Sequence, residues 1–216
     1  MQNQVFCIGN NTWKKCLQSS IWCVTKIHMK TNKPIICASV AVGPDNVIGH
    51  NGVMPWYSKQ DFYHFKTITT PYPCIFGKTT FENMPKKPLP NRLNIVCSST
   101  YRNELKDGVF YANSIESAID FCKDYEYIFI CGGASIYKYA FEKDLIDIVY
   151  LTEIINNGLE KDVCTNTGSY CRFPKRTSDF FDDKNWVGKR IKYQPNILPK
   201  EINDTHVKFF RCVRVR

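Results

Sequence analysis

Apolar and polar positions change rhythm several times along this chain, and the changes delimit elements. From Pro34 the run PIICASVAV is apolar almost without interruption, as expected of a strand buried on both faces. GPDNVIGHNGVMPW follows, a long Gly- and Pro-broken loop with two apolar anchors, Ile48 and Met54. Helical spacing then runs from about Ser58 to Thr70. PCIFG reads as a second buried strand, KTTFENM as a short helix closed by Pro85, PLPNR as a turn and LNIVCSS as a strand. Asn113 and Ser114 offer N-caps for a helix over IESAIDFCKD. YIFIC is a strand, Gly132-Gly133 breaks it, SIYKYAFE is helical and DIVYLTEI is a strand again. Beyond Trp186-Val187-Gly188 the chain runs into HVKFFRCVRV, β-rich with imperfect alternation.

Strands alternating with short helices predict an α/β protein built on a twisted, mostly parallel sheet with flanking helices. A last strand with no crossover helix before it adds antiparallel, so the sheet is expected to be mixed. A chain of 216 residues with 44% hydrophobic content can bury one sizeable core, so residues 34–216 are expected to form a single domain. Residues 1–33 hold Trp13, Leu17 and Ile21 at helical spacing, five lysines and no acid. That is loosely a transit-peptide pattern without arginine; the preferred reading is a disordered extension, or a start placed upstream of Met29. Residues 155–173, with Cys164 and Cys171, are expected to be a surface insertion.

Charge and cysteines narrow the class. Of the formal +9, residues 1–33 carry +5, which leaves +4 with acids and bases interspersed over the body. No basic stripe for nucleic acid results, and no nucleic-acid partner is expected. Eleven cysteines are scattered, and Cys37, Cys74, Cys97 and Cys131 fall inside apolar runs. They read as small buried hydrophobes in a reducing, cytoplasmic setting. No cysteine or histidine spacing suits zinc, so no metal is expected. Apolar runs stop well short of the roughly 18 residues of a membrane span, and no signal peptide is visible. A monomer is expected.

Candidate chemistry gathers at three places. In CIFG-KTT and FICGG-AS a glycine ends a strand and a helix follows, so free helix N–H groups and a positive dipole end are offered to anions. Each is weak alone. Two at the strand ends of one sheet point to a dinucleotide lying across the crevice. The third place is GVMPWYSKQDFYHFK, where Asp61 falls in the first turn of a helix. Ser58-x-x-Asp61 has the form of a capping box, and a cap alone would explain that acid. His64, beside Phe65, reads as a surface histidine.

AVGPDNVIGHNGVMPWYSKQDFYHFK, FGKTTFENMPKKPLPNRLNIVCSS, YIFICGGASIY and IVYLTEI together resemble dihydrofolate reductase, from about Ile35 to the C-terminus. The segment TSDFFDDKNWVGKR is similar to the longer eukaryotic members. The resemblance implies reduction of 7,8-dihydrofolate to tetrahydrofolate by NADPH in one-carbon metabolism, with antifolates as further ligands. Two other readings stay beside it: a riboflavin-pathway reductase of the same fold, and a non-catalytic nucleotide- or RNA-binding protein.

The resemblance also implies roles. Asp61 holds the pterin through two hydrogen bonds, Thr152 supports it, Trp56 orders a water and Tyr137 stands near the nicotinamide. Ser39, Val40, Phe62, Phe65, Asn83, Met84, Leu89 and Cys131 form the rest of the substrate pocket, with Arg92 on the glutamate α-carboxylate. Ala41 and Ile48 flank the nicotinamide. Gly132, Gly133, Ala134, Ser135 and Ile136 hold the pyrophosphate, and Gly77, Lys78, Thr79, Thr80, Ser98 and Ser99 the adenosine phosphates. The loop from Gly43 to Trp56 is the mobile lid. Lys78, Ser99, Thr100 and Arg102 are the candidates for a 2′-phosphate. The stretch Lys78–Met84 departs from the commoner pattern of two basic residues and then Thr-Trp-Glu-Ser-Ile, and no arginine follows Ser98-Ser99.

Overall fold

The computed structural model describes residues 33–155, 169–192 and 207–215. The expected extension, Cys164 and most of the expected insertion lie outside them. The continuous apolar run after Pro34 becomes β1 (Ile35–Val42), with residues 36–40 buried on both faces as the lack of alternation demands. Parallel partners flank it. Among the described residues the main sheet has the strand order β10-β11-β8-β1-β7-β3-β4-β6-β5. Its parallel centre comprises β8 (Ile148–Ile154), β1, β7 (Tyr127–Ile130), β3 (Cys74–Gly77), β4 (Asn94–Cys97) and β6 (Val109–Ala112).

Antiparallel strands close both edges. β11 (Val207–Arg214) pairs with β8, placing Phe209 opposite Thr152, and β10 (Trp186–Ile191) pairs with β11. The mixed sheet expected from the missing crossover helix is thus present. At the other edge β5 (Glu104–Lys106) and β6 form a hairpin that the sequence reading lacks. Its signal is Asp107-Gly108, both at positive φ, 51° and 76°, as a two-residue hairpin turn of the twist-matching kind needs.

Helices α3 (Ile115–Phe121) and α4 (Ala134–Glu142) supply apolar residues to one side of the core, where Ala118 and Ala140 are fully buried with Ile36, Ile75 and Ile128. On the other, Cys37, Cys74, Phe76 and Phe129 pack with Phe65 and Ile68 of α1 (Lys59–Thr69). Ser114 caps α3 by accepting the Ser117 N–H at 3.1 Å, as expected. α2 (Lys78–Glu82) ends before Pro85, and α5 (Asp179–Asp182) buries Phe180 beside Trp186.

Two expectations need correction. The Gly- and Pro-broken loop is not wholly irregular: Val47–His50 form β2, which pairs antiparallel with β9 (Tyr170–Arg172). The described end of the expected insertion is therefore a partner of the loop beside the cavity. His50 stacks on Tyr170 at 4.4 Å, and Arg172 pairs with Asp45 at 2.9 Å. Nor is His64 on the surface. It is 2% exposed, its ring 4.5 Å from that of Phe209. α1 buries Gln60, Asp61, His64 and Thr69 and leaves Phe62 39% exposed. A helix that hides its polar residues and shows its aromatics is lining a cavity, where the aromatics await an apolar partner.

Candidate active site

One cavity of about 1340 Å³ opens along the C-terminal ends of the central parallel strands, where ligands of open α/β sheets bind. The volume exceeds the roughly 300–1,000 Å³ of a pocket for one drug-sized molecule, so there is room for a dinucleotide and a second ligand side by side.

Its aromatic end is built on α1 and β1. Ser39, Val40, Trp56, Phe62, Phe65, Asn83, Met84, Leu89 and Cys131 line it together with Asp61. Asp61 is 8% exposed. The cap expected of the Ser58-x-x-Asp61 pattern exists, and the serine provides it: Ser58 Oγ accepts the Asp61 N–H at 3.2 Å. The Asp61 carboxyl turns the other way, to a hydrogen bond with Thr152. Burial pushes its pKa up from 3.8 to about 6, and the Thr152 hydroxyl partly offsets that rise. Thr152 lies beneath the cavity, between Ala41 and Phe209 in the sheet. Trp56 Nε1 is buried with no hydrogen-bond partner.

Arg92 does not line the cavity. Its Nε donates to the Pro90 carbonyl at 3.2 Å, its Nη1 to Thr69 Oγ1, and its guanidinium stands 5.7 Å over the Phe65 ring. Tyr137 is almost fully buried, and its hydroxyl donates to the Ser39 carbonyl at 2.5 Å. Burial first, then Cys131 and Asp61, hold that phenol well above its ordinary pKa.

The other end is built where β3 and β7 hand over to helices. Gly77 and Gly133 are the residues before α2 and α4, so neither helix has a side-chain cap. The two starts touch. Gly77 N donates to Gly132 O at 2.6 Å, and a Cβ on Gly133 would lie 2.7 Å from Thr80 Oγ1. Gly132 has φ 111°, a region closed to side chains. Lys78, Thr79, Ser98, Ser99, Ala134, Ser135 and Ile136 line this end with Thr80 and the glycines, and Ala41 and Ile48 line the same cavity. Uncapped N–H groups beside a lysine and hydroxyls suit a pyrophosphate, so the residues present fit a phosphorylated dinucleotide. Lys78 stands 4.0 Å from Glu82 and 5.6 Å from the Tyr101 ring. Thr100 bonds Ser98 at 2.9 Å, and neither it nor Arg102 lines the cavity.

Lys86, Glu116 and Cys171 line the cavity with no role expected from the sequence, and Gly52 and Val53 line it from the loop expected to be the lid. Asn113 and Ser114 were legible only as caps, and Cys171 reaches the cavity because β9 pairs with β2.

Fold and cavity define an enzyme that holds a dinucleotide beside an aromatic-walled acid pocket. A family profile described as dihydrofolate reductase matches residues 35–194. The chain is 39% identical to the dihydrofolate reductase of Haemophilus influenzae over 175 residues, which is 81% of this chain and 96% of that protein. To the dihydrofolate reductase of Candida albicans it is 38% identical over 135 residues, 58% of this chain and 69% of that one. Among solved structures, dihydrofolate reductase from Enterococcus faecalis complexed with NADP(H) and RAB-propyl matches with a TM-score of 0.65 at 26% identity, covering 84% of this chain and 97% of that one. The chain belongs to the dihydrofolate reductase family. It is an NADP-dependent oxidoreductase, with NADPH as cofactor.

Proposed function

We propose that in this NADPH-dependent dihydrofolate reductase Asp61 is the group that grips the pterin, holding it so that C6 can take the hydride of NADPH while N5 takes a proton carried by water. The observation that carries this is a carboxylate buried among aromatics yet spared from capping, because Ser58 does that work. A pKa near 6 leaves Asp61 largely ionised at neutral pH, and an ionised carboxyl is acceptor-only. Two oxygens then match the two N–H groups of the pterin's ring nitrogen and exocyclic amine. Thr152 fixes which way the oxygens point.

Bound NADPH supplies the hydride. The chain's part is to bring the substrate's C6 to the Ala41–Ile48 step of the cavity and to deliver a proton at N5. Trp56 Nε1, a donor with no protein partner, suits a water beside the pterin, and pairing with Asp61 raises the basicity of the ring system that takes the proton. Tyr137 has its proton committed to Ser39, so we assign it to walling and positioning rather than to proton transfer. Phe62, Phe65, Met84 and Leu89 pack the aminobenzoyl ring, and Arg92 meets the glutamate carboxylate at the rim as a bidentate cation. Gly132 to Ile136 take the pyrophosphate, while Gly77 to Thr80 with Ser98 and Ser99 take the adenosine phosphates. Asn83 and Cys131 complete the substrate wall, so antifolate-type ligands belong to the same end.

Loss of NADPH absorbance with dihydrofolate, repeated with a salt series of RNA retention, tests the reading. Turnover dependent on dihydrofolate is the expected result; retained RNA without turnover refutes it. Two further proposals concern setting. Charged edge strands, with Glu104 and Lys106 on β5 and Lys189 and Arg190 on β10, discourage edge pairing and support a monomer, which sedimentation tests. All seven cysteines among the described residues are free, which supports the reducing cytoplasm, and cell fractionation checks it.

A further inference from the structure

Asn94 opens β4, is 1% exposed and has no place in the site as described so far. Its side chain makes three hydrogen bonds, all to the segment just before it. Oδ1 accepts from Leu89 N at 2.8 Å. Nδ2 donates to the carbonyl oxygens of Leu89 at 2.8 Å and of Arg92 at 3.0 Å. The partners fix the amide's orientation, since a backbone N–H can only donate and a carbonyl can only accept. Between these bonds runs a turn with Asn91 at φ 59° and no strand or helix ladder of its own.

What hangs from that turn belongs to the substrate end. The Leu89 side chain lines the cavity. Arg92 leans over the Phe65 ring and donates to Thr69, and buried Thr69 donates in turn to Phe65 O at 2.6 Å. The three residues assigned to the tail of the substrate, Phe65, Leu89 and Arg92, are thus tied by two buried polar side chains. Thr69 anchors the helix side. Asn94 anchors the turn.

The geometry points to Asn94 as a positioning residue for the substrate's aminobenzoyl-glutamate tail: its carboxamide sets the backbone at Leu89 and Arg92, and so sets where the guanidinium meets the tail carboxylate. The inference rests on the reading of Arg92 as that carboxylate's partner. Only a carboxamide of this length fits the site. Leucine would leave one N–H and two carbonyls facing carbon, and aspartate would set a negative charge against two carbonyl oxygens.

The test measures kcat and KM for Asn94→Asp, Asn94→Ala and Arg92→Leu with dihydrofolate and with a dihydropterin lacking the tail. For dihydrofolate the Asn94 variants should raise KM by about tenfold to a hundredfold with kcat near the parent's, as expected when a positioning group shifts. The tail-less substrate should keep its kcat/KM within about twofold. Both substrates are read on one preparation, so the ratio between them does not depend on how much of a variant folds. Arg92→Leu should show the same selectivity. If Arg92→Leu is selective while the Asn94 variants lose both substrates equally, or neither, Asn94 is structural only and the inference fails alone. If Arg92→Leu is itself unselective, the tail reading fails and takes the inference with it.

Discussion

Asp61 combines two conditions that usually exclude each other, a place in the first turn of a helix and a side chain not spent on closing it. Ser58 accepts the orphan N–H, so the carboxyl is free to face Thr152 and the cavity. Asp61→Asn keeps the shape but removes the charge and presents a donor where one acceptor is needed. Dihydrofolate turnover should fall by roughly 10²–10⁴, the range for loss of a positioned acid-base group. The deficit should shrink at low pH, where substrate already protonated in solution no longer needs the carboxylate, and NADPH binding should hold. A near-parent rate at neutral pH in steady-state assays would return Asp61 to a structural role. Lys78 poses the corresponding question at the other end. It lines the cavity beside Thr79 and Thr80, with Arg102 outside. Lys78→Ala should narrow the preference for NADPH over NADH by about tenfold or more, given the roughly 1.5–3 kcal/mol of a charge-assisted bond. Equal use of both cofactors by the parent enzyme would refute the assignment.

At the scale of elements, the phosphate end depends on how closely the starts of α2 and α4 approach. The gap at Gly133 is too small for a methyl group, with Thr80 Oγ1 at 2.7 Å from where Cβ would sit. Gly133→Ala must push the two helix starts apart, and overpacking of this kind costs about 1–3 kcal/mol. NADPH affinity should drop by about tenfold. Thr80→Ala removes the obstructing hydroxyl, so the double variant should bind NADPH better than the two single losses predict, a coupling read from a double-mutant cycle. Additive losses would show that the contact is not what limits the cradle. These junctions were legible because a glycine between an apolar run and a helix start is a local signal. The β2–β9 pair was not, since it joins residues 47–50 to 170–172 and neither strand shows a period of its own. The hairpin at Asp107-Gly108 has a local signal, an Asp-Gly pair between two short strands. His64 was misplaced for a physical reason: periodicity assumes that apolar residues face the core, whereas α1 turns Phe62 to the cavity and its polar residues inward. A ligand-lining helix inverts the usual pattern.

For the molecule as a whole, the same inversion shapes stability against pH. Asp61 and His64 lie one turn apart on the buried side of α1, and burial moves their pKa values in opposite directions, to about 6 and about 4. For Asp61 the folded value lies above the unfolded 3.8, so the folded state binds more protons between pH 4 and 6. Its contribution is present below pH 4 and is lost as pH rises through 6. For His64 the folded value lies below the unfolded 6.5, so the unfolded chain binds more protons between pH 4 and 6.5. Its contribution is present above pH 6.5 and is lost as pH falls through 4. At 1.36 kcal/mol per unit each shift corresponds to roughly 3 kcal/mol, with opposite sign. These two terms should nearly cancel, leaving the parent's stability almost flat over that window as far as they set it. Each single substitution should expose the other slope. Asp61→Asn should match the parent near pH 4 and exceed it at pH 7 by roughly 3 kcal/mol, trading activity for stability. His64→Phe should instead lose stability steadily from pH 4 to 6. Urea unfolding across pH measures both, and parallel profiles for parent and variants would show that neither group titrates as its burial demands.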